Sequence, residues 1–235
     1  MAITVAARFN GPPNSGNGGY TCGMIAKAIG ESVRVRLLLP PPLEQPLEVR
    51  QIDATTWQAL AGTEVIAEAT KTLIDIEAPP PPAYIEALGV STHYFGFHAH
   101  PFPTCFVCGP ERARGDGLRI FAASVPGTGI VAAPWMPSRS LAQDGGKVGA
   151  EFIWAALDCP GYAAAVTTRG KAVLGELAVH IDRSVHVDEP CVVVGWPIEK
   201  PKSNERVHYA GTALFDEDGE RCAVGLATWI ELKGD

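Results

Sequence analysis

Four consecutive prolines, Pro79 to Pro82, divide this chain. Such a run has no backbone N–H to donate and fixes φ, so neither a helix nor a central strand can continue through it. The segments on either side must therefore build their structure separately. From residue 77 to 116 the sequence stays irregular, with aromatics, several Pro and Gly, three histidines (His93, His98, His100) and little periodicity. Its aromatic side chains need burial, so parts of this connector are expected to pack as ordered structure.

Either side of it the same order of elements is written twice. The first half opens with a loop, FNGPPNSGNGG, followed by an apolar helix from Tyr20 to Ile29. Met24, Ile25, Ala28 and Ile29 fall at helical spacing, and Gly30 is suited to closing the helix in a left-handed conformation. Strands are expected over 32–39, 46–53, 56–62 and 64–74; the alternation of SVRVR is that of a half-buried antiparallel strand. The second half opens with strands over 117–124 and 129–135. After the turn SLAQDGG, a helix is expected from Val148 to Asp158, with Val148, Phe152, Ile153, Ala156 and Leu157 as its apolar stripe. Cys159-Pro160-Gly161 should end it. Strands follow over 175–181, 190–198, 205–216 and 222–232, with a hairpin turn at Glu217 to Glu220. Each half thus reads as one helix laid on an antiparallel sheet, a duplicated α+β layout.

Composition bounds the function. The chain has 235 residues, 46% apolar and 19% charged, as a globular protein does. Two halves of about 110 residues could each bury a core and would gain by packing together. No apolar run approaches the roughly 20 residues that cross a bilayer. The first residues, MAITVAARFNGPPN, lack a basic n-region and a long apolar h-region, so no signal peptide is read and a cytoplasmic location is expected. Net charge is −7 with Lys and Arg scattered, which argues against nucleic acid as a partner. Arg112, Arg114 and Arg119 are the nearest thing to a basic cluster and read as a solvated loop. Six cysteines, dispersed apart from Cys105 and Cys108, read as reduced thiols. Cys105-x-x-Cys108 with His93, His98 and His100 has the composition of a zinc site, but no second Cys-x-x-Cys exists, so no metal and no cofactor is expected. His180, His186 and His208 lie in or beside strands, and no Gly-x-Ser-x-Gly supports a serine hydrolase.

Several segments carry a family resemblance. CFVCGP (105–110) followed by GDGLRIF (115–121) resembles the opening of phenylacetate-degradation-type thioesterase-like proteins of the hotdog superfamily, and VGAEFIWAALD (148–158) resembles their central helix. RVRLLLPPPLEQPLEVR (34–50) is similar to the strand–Pro–strand passage of double-hotdog acyl-CoA thioesterases. The resemblance implies a double hotdog: two antiparallel sheets each wrapping a central helix, with residues 1–90 and 117–235 as the units and 91–116 as connector. It also implies a composite site, where a His-Gly-Gly turn before one unit's helix faces an acid on the other's. Here the pieces are shared out. Asn17-Gly18-Gly19 matches the turn in the first half, but Ala26 stands where the acid belongs. In the second half Asp158 matches the acid, while Gly149, Ala150 and Glu151 occupy the turn. No His occupies either turn.

The chemistry suits a thioester. Attack on its carbonyl develops negative charge on oxygen, which free N–H groups at a helix N-terminus stabilise. The amides of Gly18, Gly19 and Tyr20 are the expected donors, and Asp158 the expected general base or nucleophile. Asn17 and Trp154 are expected to contact substrate. Glu151 competes: seven residues before Asp158, it would share a helix face with it about 10 Å away, Trp154 lying between. If Asp144-Gly145-Gly146 is the second turn, Glu151 becomes the acid. The resemblance therefore implies a hydrolase acting on an acyl-CoA or related thioester, with a non-catalytic acyl-CoA or acyl-chain binder as the alternative. A hydratase would want an Asp/His pair, and neither helix nor its turn carries a His. A fused pair already supplies the usual dimer and could form a homodimer again through exposed faces.

Overall fold

The computed structural model describes residues 1–166, 170–200 and 204–233. The first half contributes β1 (Ala2–Thr4), helix α1 (Gly18–Ile29), β2 (Val33–Leu37), β3 (Pro46–Gln51), β4 (Thr56–Ala61) and β5 (Glu64–Lys71). After the prolines come α2 (Tyr84–Ser91), β6 (Ala123–Ser124), β7 (Val131–Trp135), α3 (Ala150–Ala156) and α4 (Cys159–Ala165). Then follow β8 (Ala172–Ile181), β9 (Cys191–Pro197), β10 (Val207–Phe215) and β11 (Arg221–Glu231).

Two antiparallel sheets, one per half, were expected to join edge to edge or back to back; the described strands run edge to edge as one antiparallel sheet in the order β1-β3-β4-β5-β2-β8-β11-β10-β9-β7-β6. The reason lies at the seam. β2 would be the bare edge of the first half and β8 that of the second, each with a row of unpaired backbone groups. They pair with each other, Arg34 opposite Ala178, Val35 opposite Leu177 and Arg36 opposite Glu176, and Arg34 also lies 3.6 Å from the Glu176 carboxylate. Along β2 the alternation read from the sequence holds, with Val33 and Val35 buried and Arg34 and Arg36 exposed.

Helix α1 starts at an Asn17 cap and stops at Gly30, whose φ of 75° is the left-handed closure that glycine tolerates without strain. It packs against β2, β8 and α3. The approach to α3 is close: a Cβ at Gly23 would lie 2.7 Å from Trp154 Cβ and 2.8 Å from Glu151 Cα. Phe9, Tyr20, Phe106 and Phe152 form an aromatic cluster around this junction, with Phe9 and Tyr20 stacked at 4.1 Å.

The second half departs from expectation in three places. The helix expected over 148–158 spans Ala150–Ala156, and a second helix, not expected, follows over Cys159–Ala165. Leu157 leaves α-helical geometry at ψ 2° and Asp158 at ψ −80°, and α4 begins at once. Pro160 falls in its first turn, where the missing N–H has no intrahelical partner to lose, so the proline starts a helix instead of ending one. The strand expected over 117–124 shrinks to Ala123–Ser124, because Arg119 takes φ 56°, outside any strand geometry. Helix α2, which begins within the range 1–90 and ends one residue past it, packs on β6, β7 and β9, where Ala87 joins a small core with Val125, Ile130, Val192 and Val194.

No described helix is long and apolar enough to cross a membrane.

Candidate functional site at the seam

The break between α3 and α4 sets Asp158 facing the start of α1. Its side chain is 2% exposed. Oδ2 accepts from the Gly19 N–H at 2.9 Å and from Asn17 Nδ2 at 2.8 Å, while Oδ1 has no partner among the described residues. Asn17 is held in turn: its Oδ1 caps the helix by accepting from the Tyr20 N–H at 2.8 Å. Burial is the main cause that pushes the Asp158 carboxyl up to about 7; the Gly19 bond opposes it, Cys105 nearby adds to it, and the Asn17 bond again opposes. Contact is tight enough that Gly19 must be glycine, since a Cβ there would sit 2.6 Å from Asp158 Cβ and 2.8 Å from the Trp154 carbonyl oxygen.

Asp158 borders a cavity of about 630 Å³. Residues 11–18 and 37–41 of the first half, 100–108 of the connector, and 158–162, 172–175 and 229–232 of the second half contribute to its wall. The lining is mostly apolar, with Pro12, Leu39, Phe102, Leu174, Trp229 and Ile230 among it. Such a volume and lining suit a small organic ligand. Polar groups converge at the Asp158 end, where Asn17, Gly18, Cys105 and Cys159 also border it.

Solved structures share this architecture along the whole chain. A tesB protein from Mycobacterium avium subspecies paratuberculosis superposes with a TM-score of 0.61 at 16% identity, covering 99% of this chain and 92% of its own. A protein from Novosphingobium aromaticivorans named as a candidate thioesterase gives 0.61 at 16%, covering 99% and 95%. A protein of unknown function from Alicyclobacillus acidocaldarius, described as having a hot dog fold, gives 0.59 at 11%, covering 100% and 93%. The chain has the hotdog fold. No protein-family model and no curated protein matches its sequence.

Within this hotdog the expected site residues divide. Asn17, Gly18, Gly19 and Asp158 come together as anticipated. The three amides do not all remain open, which corrects the expectation of a triple donor set. Asn17 occupies the Tyr20 N–H and Asp158 the Gly19 N–H, so Gly18 alone, at the first helical position and bordering the cavity, makes no hydrogen bond through its amide among the described residues. The Tyr20 ring belongs to the aromatic cluster, and burial raises its hydroxyl to about 12.

Glu151 and Trp154 lie elsewhere, and neither borders the cavity. With the helix broken at Asp158, the shared face expected for the two acids does not form. Glu151 sits in the first turn of α3 and receives Lys27 Nζ at 3.0 Å and Gln143 Nε2 at 3.3 Å. Trp154 presses its backbone and Cβ against the glycines of α1. Asp144-Gly145-Gly146 forms a short turn with Gly145 at φ 72°, ahead of α3 and away from the cavity wall. Glu151→Gln is therefore expected to lower the urea midpoint, by about 1 kcal/mol once the partial exposure of Lys27 is discounted, with catalytic parameters within about twofold of wild type. Loss of turnover in a folded Glu151→Gln protein would return Glu151 to the mechanism.

Of the three arginines, Arg112 and Arg119 are engaged in the fold. Arg112 donates to the carbonyls of Thr104 and Arg8 and pairs with Asp116 at 2.9 Å, tying connector to N-terminal segment. Sequence reasoning missed Trp229, which borders the cavity and whose buried Nε1–H has no partner among the described residues. Its alternating strand marks it as inward-facing, but nothing local marks which inward residues meet a void.

Proposed function

We propose that this chain is a double hotdog, units 1–90 and 117–235 joined by 91–116, that hydrolyses an acyl-CoA or related thioester in the cavity at the seam of a cytoplasmic protein. The supporting observation is the asymmetry of one carboxylate at a residue that borders the cavity: Oδ2 of Asp158 is fixed by groups from the other half's helix, and Oδ1 is buried with no partner among the described residues. An acid so oriented can deprotonate a water or attack the carbonyl carbon itself. The Gly18 N–H, with the α1 dipole behind it, supplies the oxyanion donor, and the apolar wall takes the acyl chain. The sheet seam contributes by holding both helices in register.

A second reading, an acyl-CoA or acyl-chain binder without turnover, gains from the engaged Gly19 and Tyr20 amides, since one open donor is a sparse oxyanion site. One experiment separates the two. Acetyl- to palmitoyl-CoA are offered to the purified protein, with release of free CoA followed by a thiol reagent and binding by calorimetry. The hydrolase reading expects kcat/KM of about 10⁴ M⁻¹s⁻¹ or more for a preferred chain. Binding with no turnover across the panel moves the assignment to the binder, and neither binding nor turnover removes both.

A further inference from the structure

Three thiols far apart in sequence meet beside this cavity. Cys105, Cys108 and Cys159 have their sulfurs all within 4.8 Å of one another, with Cys105 and Cys159 at 3.9 Å. All three are buried, none is in a disulfide, and all border the cavity. We propose that Cys105, Cys108 and Cys159 hold one thiophilic divalent ion of the zinc type, its fourth position turned to the cavity.

Spacing is the first argument. Zinc–thiolate bonds of about 2.3 Å at tetrahedral angles put the sulfurs about 3.8 Å apart. The Cys105–Cys159 separation lies within a tenth of that. The second argument is the turn. Cys105-x-x-Cys108-Gly109 closes with the Gly109 N–H on the Cys105 carbonyl at 2.9 Å, and a Cβ at Gly109 would lie 2.5 Å from the Pro103 oxygen and 2.6 Å from the Cys105 nitrogen. The third is the surroundings. A thiol is a weak acceptor, yet Asn17 Nδ2 donates to the Cys105 sulfur at 3.9 Å. His100 completes the set. Its Nδ1 accepts from the Phe102 N–H at 2.9 Å, which leaves the proton on Nε2, 3.3 Å from Cys108 Sγ. His100 is thus an outer partner donating to a thiolate, not a fourth ligand. A donor on Cys105 and another on Cys108 suit thiolates balanced by a soft cation.

Metal binding is independent of thioester turnover and is measured directly. Full-length protein, reduced and stripped with a chelator, is titrated with zinc against a chromophoric competitor and with cobalt(II) in the near ultraviolet. One equivalent should bind, with thiolate-to-cobalt charge transfer and about three sulfur scatterers at roughly 2.3 Å by X-ray absorption. Cys159→Ser should weaken binding at least about 100-fold, and His100→Ala about 10–100-fold while keeping the sulfur count. Folded wild-type protein that binds well under one equivalent overturns the proposal, as does unchanged affinity in Cys159→Ser. Imidazole scattering from the bound ion would overturn the placing of His100 outside the ligand set. If a cysteine variant does not fold, X-ray absorption of the wild-type protein decides alone: a sulfur shell supports the site, and oxygen and nitrogen neighbours without sulfur overturn it.

Discussion

Asp158→Asn is expected to lower kcat/KM for the preferred thioester by about 10²–10⁴-fold while leaving the protein folded. The amide keeps an oxygen to accept from the Gly19 N–H and from Asn17 Nδ2, so the bonds that join α1 to the α3–α4 break survive the exchange. What changes is the other atom, the buried Oδ1 that has no partner among the described residues, which becomes an NH2 group that can neither take a proton nor attack a carbonyl. Removing a buried charge should also leave the melting temperature level or raised, because desolvation is the main burden on this carboxyl. Asp158→Ala is the informative contrast. It should lose as much turnover but also leave the Gly19 and Asn17 donors unpaired, at about 1–3 kcal/mol of stability. Steady-state kinetics beside thermal melts of both variants read the two effects apart. Asp158→Asn retaining wild-type kcat/KM would remove the carboxylate from the reaction.

That Asp158 could be found from the sequence, while much around it could not, follows from the range of the forces involved. Strands such as Val33–Leu37 and Val207–Phe215 announce themselves because alternation is local and each needs one buried face. Helix α1 is legible from Asn17, its apolar spacing and Gly30 for the same reason. The pairing of Asn17-Gly18-Gly19 with Asp158, 141 positions from Asn17, came from the resemblance, since no local rule links them. Asp158 itself was misplaced on a continuous helix because Pro160 reads equally as a stop and as a first-turn residue; the packing of α4 on β9 and β10 decides between them. Glu151 competes with Asp158 in the sequence as the second choice, because nothing local shows that Lys27, supplied by α1, takes it as a partner. The meeting of Cys159 with Cys105 and Cys108 depends on that same break, and so was invisible to spacing rules applied to Cys-x-x-Cys alone.

Gly19→Ala should be a damaging single methyl at the start of α1. On helix propensity alone the change is favourable, by about 1 kcal/mol for an interior position. Gly89→Ala in α2, where the new Cβ would meet nothing within 4 Å, should therefore be neutral or stabilising and serves as the control. At Gly19 the methyl would come within 2.6 Å of Asp158 Cβ and 2.8 Å of the Trp154 carbonyl oxygen. The second neighbour is backbone and cannot rotate away, so α1 must shift from the α3–α4 break. Overpacking of this kind costs about 1–3 kcal/mol. The shift also lengthens the 2.9 Å bond from the Gly19 N–H that orients the carboxylate and moves the Gly18 amide with it. A displacement near 1 Å at a reacting centre costs about 10²-fold, so turnover should fall by at least that in the folded fraction. Denaturant midpoints and kinetics of both alanine variants test this together. Gly19→Ala behaving like Gly89→Ala in stability and turnover would mean that α1 and Asp158 do not meet as described, and the carboxylate would then have no fixed direction from which to act.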